Sequence, residues 1–341
     1  MAIENLGFET INLGHGSGGE LTRNLLDKII FKTFSNPFLD KKDDGAIVNF
    51  DGEIAISTDS FVITPIFFKG GNIGELAVHG TVNDVAMCGA IPKYLSLAFI
   101  IEEGLKVSDF IKIVSSIKKA ADESGVLIIT GDTKVVERGK GDKIFINTTG
   151  FGEMHPKANI SVHNIKVGDK ILVNGYIAQH GMAIMSEREG LEFESTIESD
   201  STNLNHLTKG LLDAFGDKIK MFRDPTRGGL GTVLHEIANE ISKGVYLKEA
   251  VIPLEKQVAA ACEMLGLDPM YVANEGVFLV VIDPSIEAEV LALMRNHEKG
   301  KNAATIGEFT TEHPNKVVME SLIGGKRIVS PLVGEQLPRI C

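Results

Sequence analysis

Asp224-Pro225-Thr226-Arg227-Gly228-Gly229, running on into Leu230-Gly231-Thr232-Val233, is the stretch from which the chain is best read. Proline presets the backbone at a helix entry. Leu230, Val233, Ile237 and Ile241 then recur at helical spacing, which predicts a helix with that face on a core. A plain turn needs neither the arginine nor both glycines. Glycine lets backbone approach a ligand, and an arginine at a helix start offers a planar fork to phosphate oxygens. The stretch reads as a phosphate-holding turn, with Asp224 and Arg227 as its polar members.

Strand and helix patterns alternate on either side. Toward the C-terminus, Ile171 to Asn174, Val277 to Ile282 and Ala304 to Phe309 read as strands. Ile177 to Glu187, Leu207 to Phe215 and Ser285 to Met294 read as helices. Toward the N-terminus, Gly45 to Ser57 alternates like strands, and Asn72 with Glu75 forms a capping box that opens a helix running to about Cys88. Tyr94 to Ile101 is a strand, and Ser108 is the expected cap of a second helix carrying Phe110, Ile111, Val114, Ile117 and Ala121 on one face. Val126 to Thr130 reads as a buried strand ending at Gly131-Asp132-Thr133, and Ile144 to Phe151 as another strand. Long crossings and hairpins interrupt the alternation, so the expected class is α+β or mixed α/β, with helices packed on sheets. The expected division is a glycine-rich segment 1–45, an α+β domain 46–156, a second α+β domain 157–329 and a mobile tail 330–341.

Composition narrows the function classes. With 341 residues, 43% hydrophobic and 23% charged, the chain is long enough for two cores and argues against wholesale disorder. Lys plus Arg is 34 and Asp plus Glu is 46, so the net charge is 34 − 46 = −12; this and the absence of Trp speak against nucleic-acid binding. No apolar run reaches membrane-spanning length, and MAIENLGFET lacks a secretory pattern. Cys88, Cys262 and Cys341 form neither a disulfide framework nor a zinc pattern, which favours a reducing, cytoplasmic setting. Cys88 and Cys262 sit among apolar residues and read as small core side chains.

Acidic and amide groups cluster at presumed element ends: Asp43 and Asp44 in a polar loop, Asp59 after a strand, Asn83 and Asp84 on the first long helix, and Asp132 at a strand end. Scattered oxygen ligands suit Mg²⁺ held by a few carboxylates plus nucleotide phosphate. The same residues also serve as caps and turn formers. His79 lies one turn before Asn83 on the same helix face. Gly14-His15-Gly16-Ser17-Gly18-Gly19 leads into a helix start, where free N–H groups favour anions. Lys134, two residues after Asp132, reads as a phosphate contact or a solvated strand lysine. Glu275, ahead of an apolar strand, reads as a base at a strand mouth or a turn residue. There is no Walker A loop, no Rossmann fingerprint and no nucleophile elbow.

The final residues, Leu337-Pro338-Arg339-Ile340-Cys341, place a thiol on a tether. Eleven residues beyond Ser330 reach at most ~40 Å when extended. The thiolate is the nucleophilic form of such a group. An incidental exposed terminus is the other reading.

Together, Gly14 to Gly19, Ser57-Thr58-Asp59, Asn83-Asp84, Gly131-Asp132-Thr133-Lys134, Asp224 to Gly229 and the ending Pro338-Arg339-Ile340-Cys341 resemble the hydrogenase-maturation carbamoyl dehydratases, the HypE family. That family belongs to the aminoimidazole-ribotide-synthetase-like ATP-binding superfamily. The likeness runs over nearly the whole chain. It implies two α+β domains, N-terminal sheets pairing across a homodimer, and ATP near that interface. It further implies that a HypF carbamoyltransferase loads Cys341. ATP then activates the carboxamide, and the resulting cyano group passes to iron on a HypC–HypD complex. ATP and Mg²⁺ are the implied cofactors. Asp59, Asn83, Asp84 and Asp132 are the implied metal ligands. Gly16, Gly18, Gly19, Asp44, Asp224 and Arg227 join Asp59, Asn83 and Asp132 around nucleotide. Glu275 and Lys134 are the implied bases, with His79 a weaker one. Other amide activators of the superfamily, such as the purine-pathway cyclase or selenophosphate synthetase, are the alternative enzymes. A metal-carrying assembly protein is the alternative without catalysis. Selenophosphate synthetase needs a reactive Cys or Sec near the N-terminus, and none of the first 87 residues is Cys.

Overall fold

The computed structural model describes residues 7–190 and 197–332. The chain starts with a one-turn helix at Leu13–Gly16. A helical run follows: α1 (Glu20–Leu25), a π-helical stretch Leu26–Phe31, and α2 (Lys32–Phe34). The N-terminal half then contains β1 (Ile54–Phe61), the short hairpin β2 (Phe67–Phe68) and β3 (Gly71–Asn72), α3 (Ile73–Met87), β4 (Ala90–Glu102), α4 (Val107–Ser124), β5 (Leu127–Val136) and β6 (Ile144–Met154). Its main sheet has the order β1-β6-β4-β5, with β4 and β5 parallel and the other pairs antiparallel.

Asn72 opens α3 as expected: its side chain accepts from the Gly74 N–H while Glu75 reaches back to the Asn72 N–H. The helix is buried on every side, between the sheet and α4. Glycines permit this closeness. A Cβ on Gly80 would lie 2.8 Å from the Phe61 ring. Phe61, Phe99, Phe110 and Leu76 fill the core around it. Burying a phenyl ring of this kind contributes about 2–3 kcal/mol.

Three expectations need correction here. The strand expected from Gly45 starts only at Ile54, and the preceding residues are irregular and largely exposed. Ser108 is not the cap of α4. The helix begins one residue earlier, after Lys106, because burying Val107 and Phe110 brings the chain in at that point; the Val107 N–H is held by the Glu9 carbonyl. Most consequentially, β5 does not stop at Gly131-Asp132-Thr133 but runs through it to Val136. The stretch looks like a turn by composition, yet Gly131 backs directly onto β4, where a Cβ would sit 2.0 Å from the Leu97 carbonyl oxygen.

One face of this sheet packs on α3 and α4. The other carries, across all four strands, the row Ile56, Phe151, Tyr94 and Leu127, then Thr58, Thr149, Ser96 and Thr130, then Ser60, Asn147, Ala98 and Asp132. Ile56 is 56% and Leu127 40% exposed.

The C-terminal half contains β7 (Lys170–Val173), α5 (Gln179–Arg188), α6 (Asn205–Phe215), β8 (Ile219–Arg223), α7 (Gly229–Glu240), β9 (Gly244–Lys248), α8 (Lys256–Leu265), β10 (Leu279–Ile282), α9 (Glu287–Asn296), β11 (Ala304–Thr310), β12 (Val317–Glu320) and β13 (Lys326–Val329). Its sheet has the order β13-β12-β9-β11-β7-β10-β8. Strands β8, β9, β12 and β13 and helix α8 escape the periodicity reading. The helix that follows Asp224 to Gly228 is α7, with Leu230, Val233, Leu234 and Ile237 buried. The end of the tail, including Cys341, lies outside the described residues.

Candidate active site

Two polar groups emerge, one on the α3 face of the N-terminal sheet and one at its β5 edge. The first lies where α3 and β1 meet the C-terminal half. β1 directs Ser57 and Asp59 to its inner face, and α3 presents Asp84 there. The Ser57 hydroxyl donates to Asp84 Oδ2 at 2.7 Å. The turn after β8 brings Asp224 and Arg227, with Arg227 Nη2 3.9 Å from Asp59 Oδ1. A cavity of about 710 Å³ opens here, lined among others by Ser57, Asp84, Cys88, Arg223, Asp224 and Arg227. Cys88 was expected in the core. Its thiol is instead exposed on this cavity, while Cys262 is buried as expected.

Crowded carboxylates resist ionisation. Burial, then Asp224 and Asp59, push the Asp84 carboxyl up to about 6 against the Ser57 hydrogen bond. Burial raises Asp224 and Asp59 as well, Arg227 partly opposing it at Asp59. Glu275 is 5% exposed. Burial first, and then Asp200, Asp224, Asp59 and Asp84, hold its carboxyl well above the usual range.

His79 and Asn83 line the same side of α3 but are engaged elsewhere. His79 is buried; its Nδ1 lies 3.1 Å from the Ser201 hydroxyl, and Nε2 has no partner among the described residues. Burial, with Lys299 and Lys119 assisting, lowers its pKa to about 3, so the ring is neutral and a weak base. The Asn83 amide is used up. Its Nδ2 donates to the carbonyls of Thr202 (2.9 Å) and Glu275 (3.3 Å), and its Oδ1 accepts from the Leu204 N–H (2.8 Å). In this arrangement the amide ties α3 to the segment 199–204. Asp200, which no sequence pattern singled out, lies in that segment. Its carboxylate accepts the N–H groups of Glu275 and Gly276, and burial pushes its pKa up to about 6.

The second group lies at the β5 edge. Gly16 and Gly18 of the glycine-rich loop, Asp43, Asp44, Asp132 and Lys134 line a cavity of about 400 Å³. Gly16 presses on β5, where a Cβ would lie 2.6 Å from the Val135 nitrogen. Gly19 precedes α1, its carbonyl accepting from the Arg23 N–H. Lys134 Nζ is 2.9 Å from Asp132 Oδ1, both side chains being largely exposed. Asp132 is thus a mid-strand residue rather than a strand terminus.

Among the described residues, no three His, Cys, Asp or Glu side chains converge closely enough to cage a metal. Asp59 nonetheless acts on both Asp84 and Asp224 to raise their pKa values, and Asp224 acts on Asp84, so the three carboxyl groups stand near one another. Such a donor set fits Mg²⁺, which is usually held by one or two carboxylates and completed by phosphate oxygens.

The chain matches two family models: AIR synthase related protein, N-terminal domain, over residues 42–154, and AIR synthase related protein, C-terminal domain, over residues 166–320. It is 48% identical over 332 residues to a carbamoyl dehydratase HypE of Bradyrhizobium diazoefficiens, covering 97% of this chain and 96% of that protein. A crystal structure of hydrogenase maturation protein HypE in complex with ATP superposes with a TM-score of 0.93 at 45% identity, covering 96% of this chain and 99% of the other. A crystal structure of a HypE–HypF complex gives a TM-score of 0.80 at 44% identity, covering 90% and 99%.

Proposed function

The chain belongs to the AIR synthase related family, in its HypE branch, and on that premise we propose that it is an ATP-dependent carbamoyl dehydratase acting on its own Cys341. The observation that carries this reading is the grouping of Asp59, Asp84, Asp224 and Arg227 beside the buried Glu275, an arrangement suited to phosphoryl transfer followed by proton removal. An amide oxygen is a poor leaving group and phosphate a good one. The carboxamide oxygen of S-carbamoyl Cys341 attacks the terminal phosphorus of ATP, and ADP leaves. The nitrogen then gives up both protons, the C–O bond breaks, and phosphate departs with the oxygen. S-cyano-cysteine remains.

This chemistry depends on positioning and charge neutralisation. Asp59, Asp84 and Asp224 would hold Mg²⁺, which would neutralise phosphate charge. Arg227 supplies a further positive charge. Gly16, Gly18 and Gly19 bring backbone N–H groups toward phosphate, with Asp44 beside them. Glu275 takes a proton from nitrogen, and a cation among the neighbouring carboxylates would favour its ionised form. Lys134 is the second candidate for proton transfer, and His79, with its low pKa, is the weakest.

The ATP-binding half in this reading is 46–156, completed by 157–329. The exposed Ile56 and Leu127 on the outer face of the N-terminal sheet support a homodimer formed through that face. No helix among the described residues is long and apolar enough to cross a membrane; cytoplasmic placement rests on the reducing environment a free Cys341 thiol needs. A HypF-type carbamoyltransferase is the proposed donor, and a HypC–HypD-type complex the acceptor of the cyano group. The test is stoichiometry: with loaded chain and ATP, one phosphate is released for each thiocyanate formed. Phosphate release without thiocyanate contradicts the reading.

A further inference from the structure

Glu275 sits in a grip that involves both halves of the molecule. Asp200 Oδ1 accepts from the Glu275 N–H at 3.2 Å and Oδ2 from the Gly276 N–H at 3.1 Å, so one carboxylate spans two consecutive peptide groups. From the opposite side, Asn83 Nδ2 donates to the Glu275 carbonyl at 3.3 Å. The 275–276 peptide lies flat on the segment around Asp200. A Cβ on Gly276 would fall 1.8 Å from the Asp200 carbonyl oxygen, so only glycine fits there.

The segment is itself sewn to the N-terminal half. The Ser199 N–H donates to the Lys69 carbonyl, Asn203 Nδ2 to the Glu123 carbonyl and Asn205 Nδ2 to the Ser124 carbonyl. Ser199 and Ser201 contact His180 and His79. Asp200 is therefore fixed by N-terminal elements while it fixes a C-terminal side chain.

We propose that Asp200 is the positioning residue for Glu275, setting where the Glu275 carboxyl stands relative to the groups on β1 and α3. The inference rests on the reading of Glu275 as the proton-accepting group. Buried charge-assisted bonds to two N–H groups hold a peptide more rigidly than neutral ones, and misplacement by about 1 Å costs a reaction of this type on the order of 10²-fold.

The test uses the full-length chain, loaded on Cys341 by the partner carbamoyltransferase. Asp200→Asn removes one of the two acceptors; Asp200→Glu keeps the charge but displaces the peptide by one methylene. Both should slow single-turnover water loss at saturating ATP by about tenfold or more, leaving KM for ATP within about twofold and carbamoyl loading intact. Unchanged water loss in both variants overturns the inference. So does a parallel fall in ATP affinity, loading and turnover, or failure of both to fold, since either assigns Asp200 to the fold at large. Glu275→Gln run alongside separates the two claims. If it dehydrates normally, the reading of Glu275 falls; if it is blocked while the Asp200 variants are not slowed, only the positioning role falls.

Discussion

Asp59 and Asp132 stand on opposite faces of one four-stranded sheet. The register leaves no doubt: Asp59 pairs through Thr148 and Leu97 with Gly131, whereas Asp132 pairs through Ala98 and Asn147 with Ser60. Laterally paired residues share a face, and neighbours along a strand alternate. A single chain therefore separates two residues that the sequence pattern assigned to one cation, and in the homodimer proposed above a site using both would draw them from two copies.

Mixing variants tests that consequence. Asp59→Asn and Asp132→Asn homodimers should each be inactive. When their subunits are exchanged one to one, half the dimers are mixed and each has one intact site, so about a quarter of wild-type dehydration should return. No recovery after verified exchange means that Asp59 and Asp132 do not act in a shared site.

Glu275→Gln keeps shape and burial but cannot accept a proton. It should bind ATP like the wild type, yet lose water from the carbamoyl form at least about 100-fold more slowly, the range expected when a general base is removed. Nucleotide titration and intact mass read the two steps separately. Full dehydration by this variant excludes Glu275 as the base.

The carboxyl groups also predict a pH dependence of stability. Asp84 and Asp200 are pushed up to about 6, and burial raises Glu275 well above the usual carboxylate range, so the folded chain holds protons that the unfolded chain has released. The stability these groups contribute should therefore be fully present only below about pH 4, where they are protonated in the unfolded state as well, and be lost as pH rises from there through 6. Asp84→Asn removes one buried charge and should stabilise the chain by about 1–3 kcal/mol at pH 8 but little at pH 4. Denaturant melts at the two pH values check this; an equal effect at both contradicts it. Mg²⁺ should raise the melting temperature of the wild type more at pH 8 than at pH 5, and should do so less in the variant.

Local chemistry made some of the molecule legible. The Asn72–Glu75 capping box and the Asp224 to Gly229 turn are contiguous, and each depends on residues within a few positions, so α3 and α7 were readable from the sequence. Gly131-Asp132-Thr133 misled because its extended form depends on a distant strand backing onto a glycine. Asn83 and Asp200 mark the limit of such reading. Both act through hydrogen bonds to residues 75 or more positions away, and a lone half-buried Asp in the polar run Ser199-Asp200-Ser201-Thr202-Asn203 carries no periodic signal. That run of small polar residues, too short for a linker, was the only hint available.

The most direct test of the account is the intact mass of the full-length chain after incubation with the partner carbamoyltransferase, carbamoyl phosphate and ATP. The account predicts a carbamoyl group gained on Cys341, then loss of the elements of one water only while ATP is present, with neither change in Cys341→Ala. An unmodified Cys341 in the complete mixture, or a carbamoyl form that loses water without ATP, would contradict it.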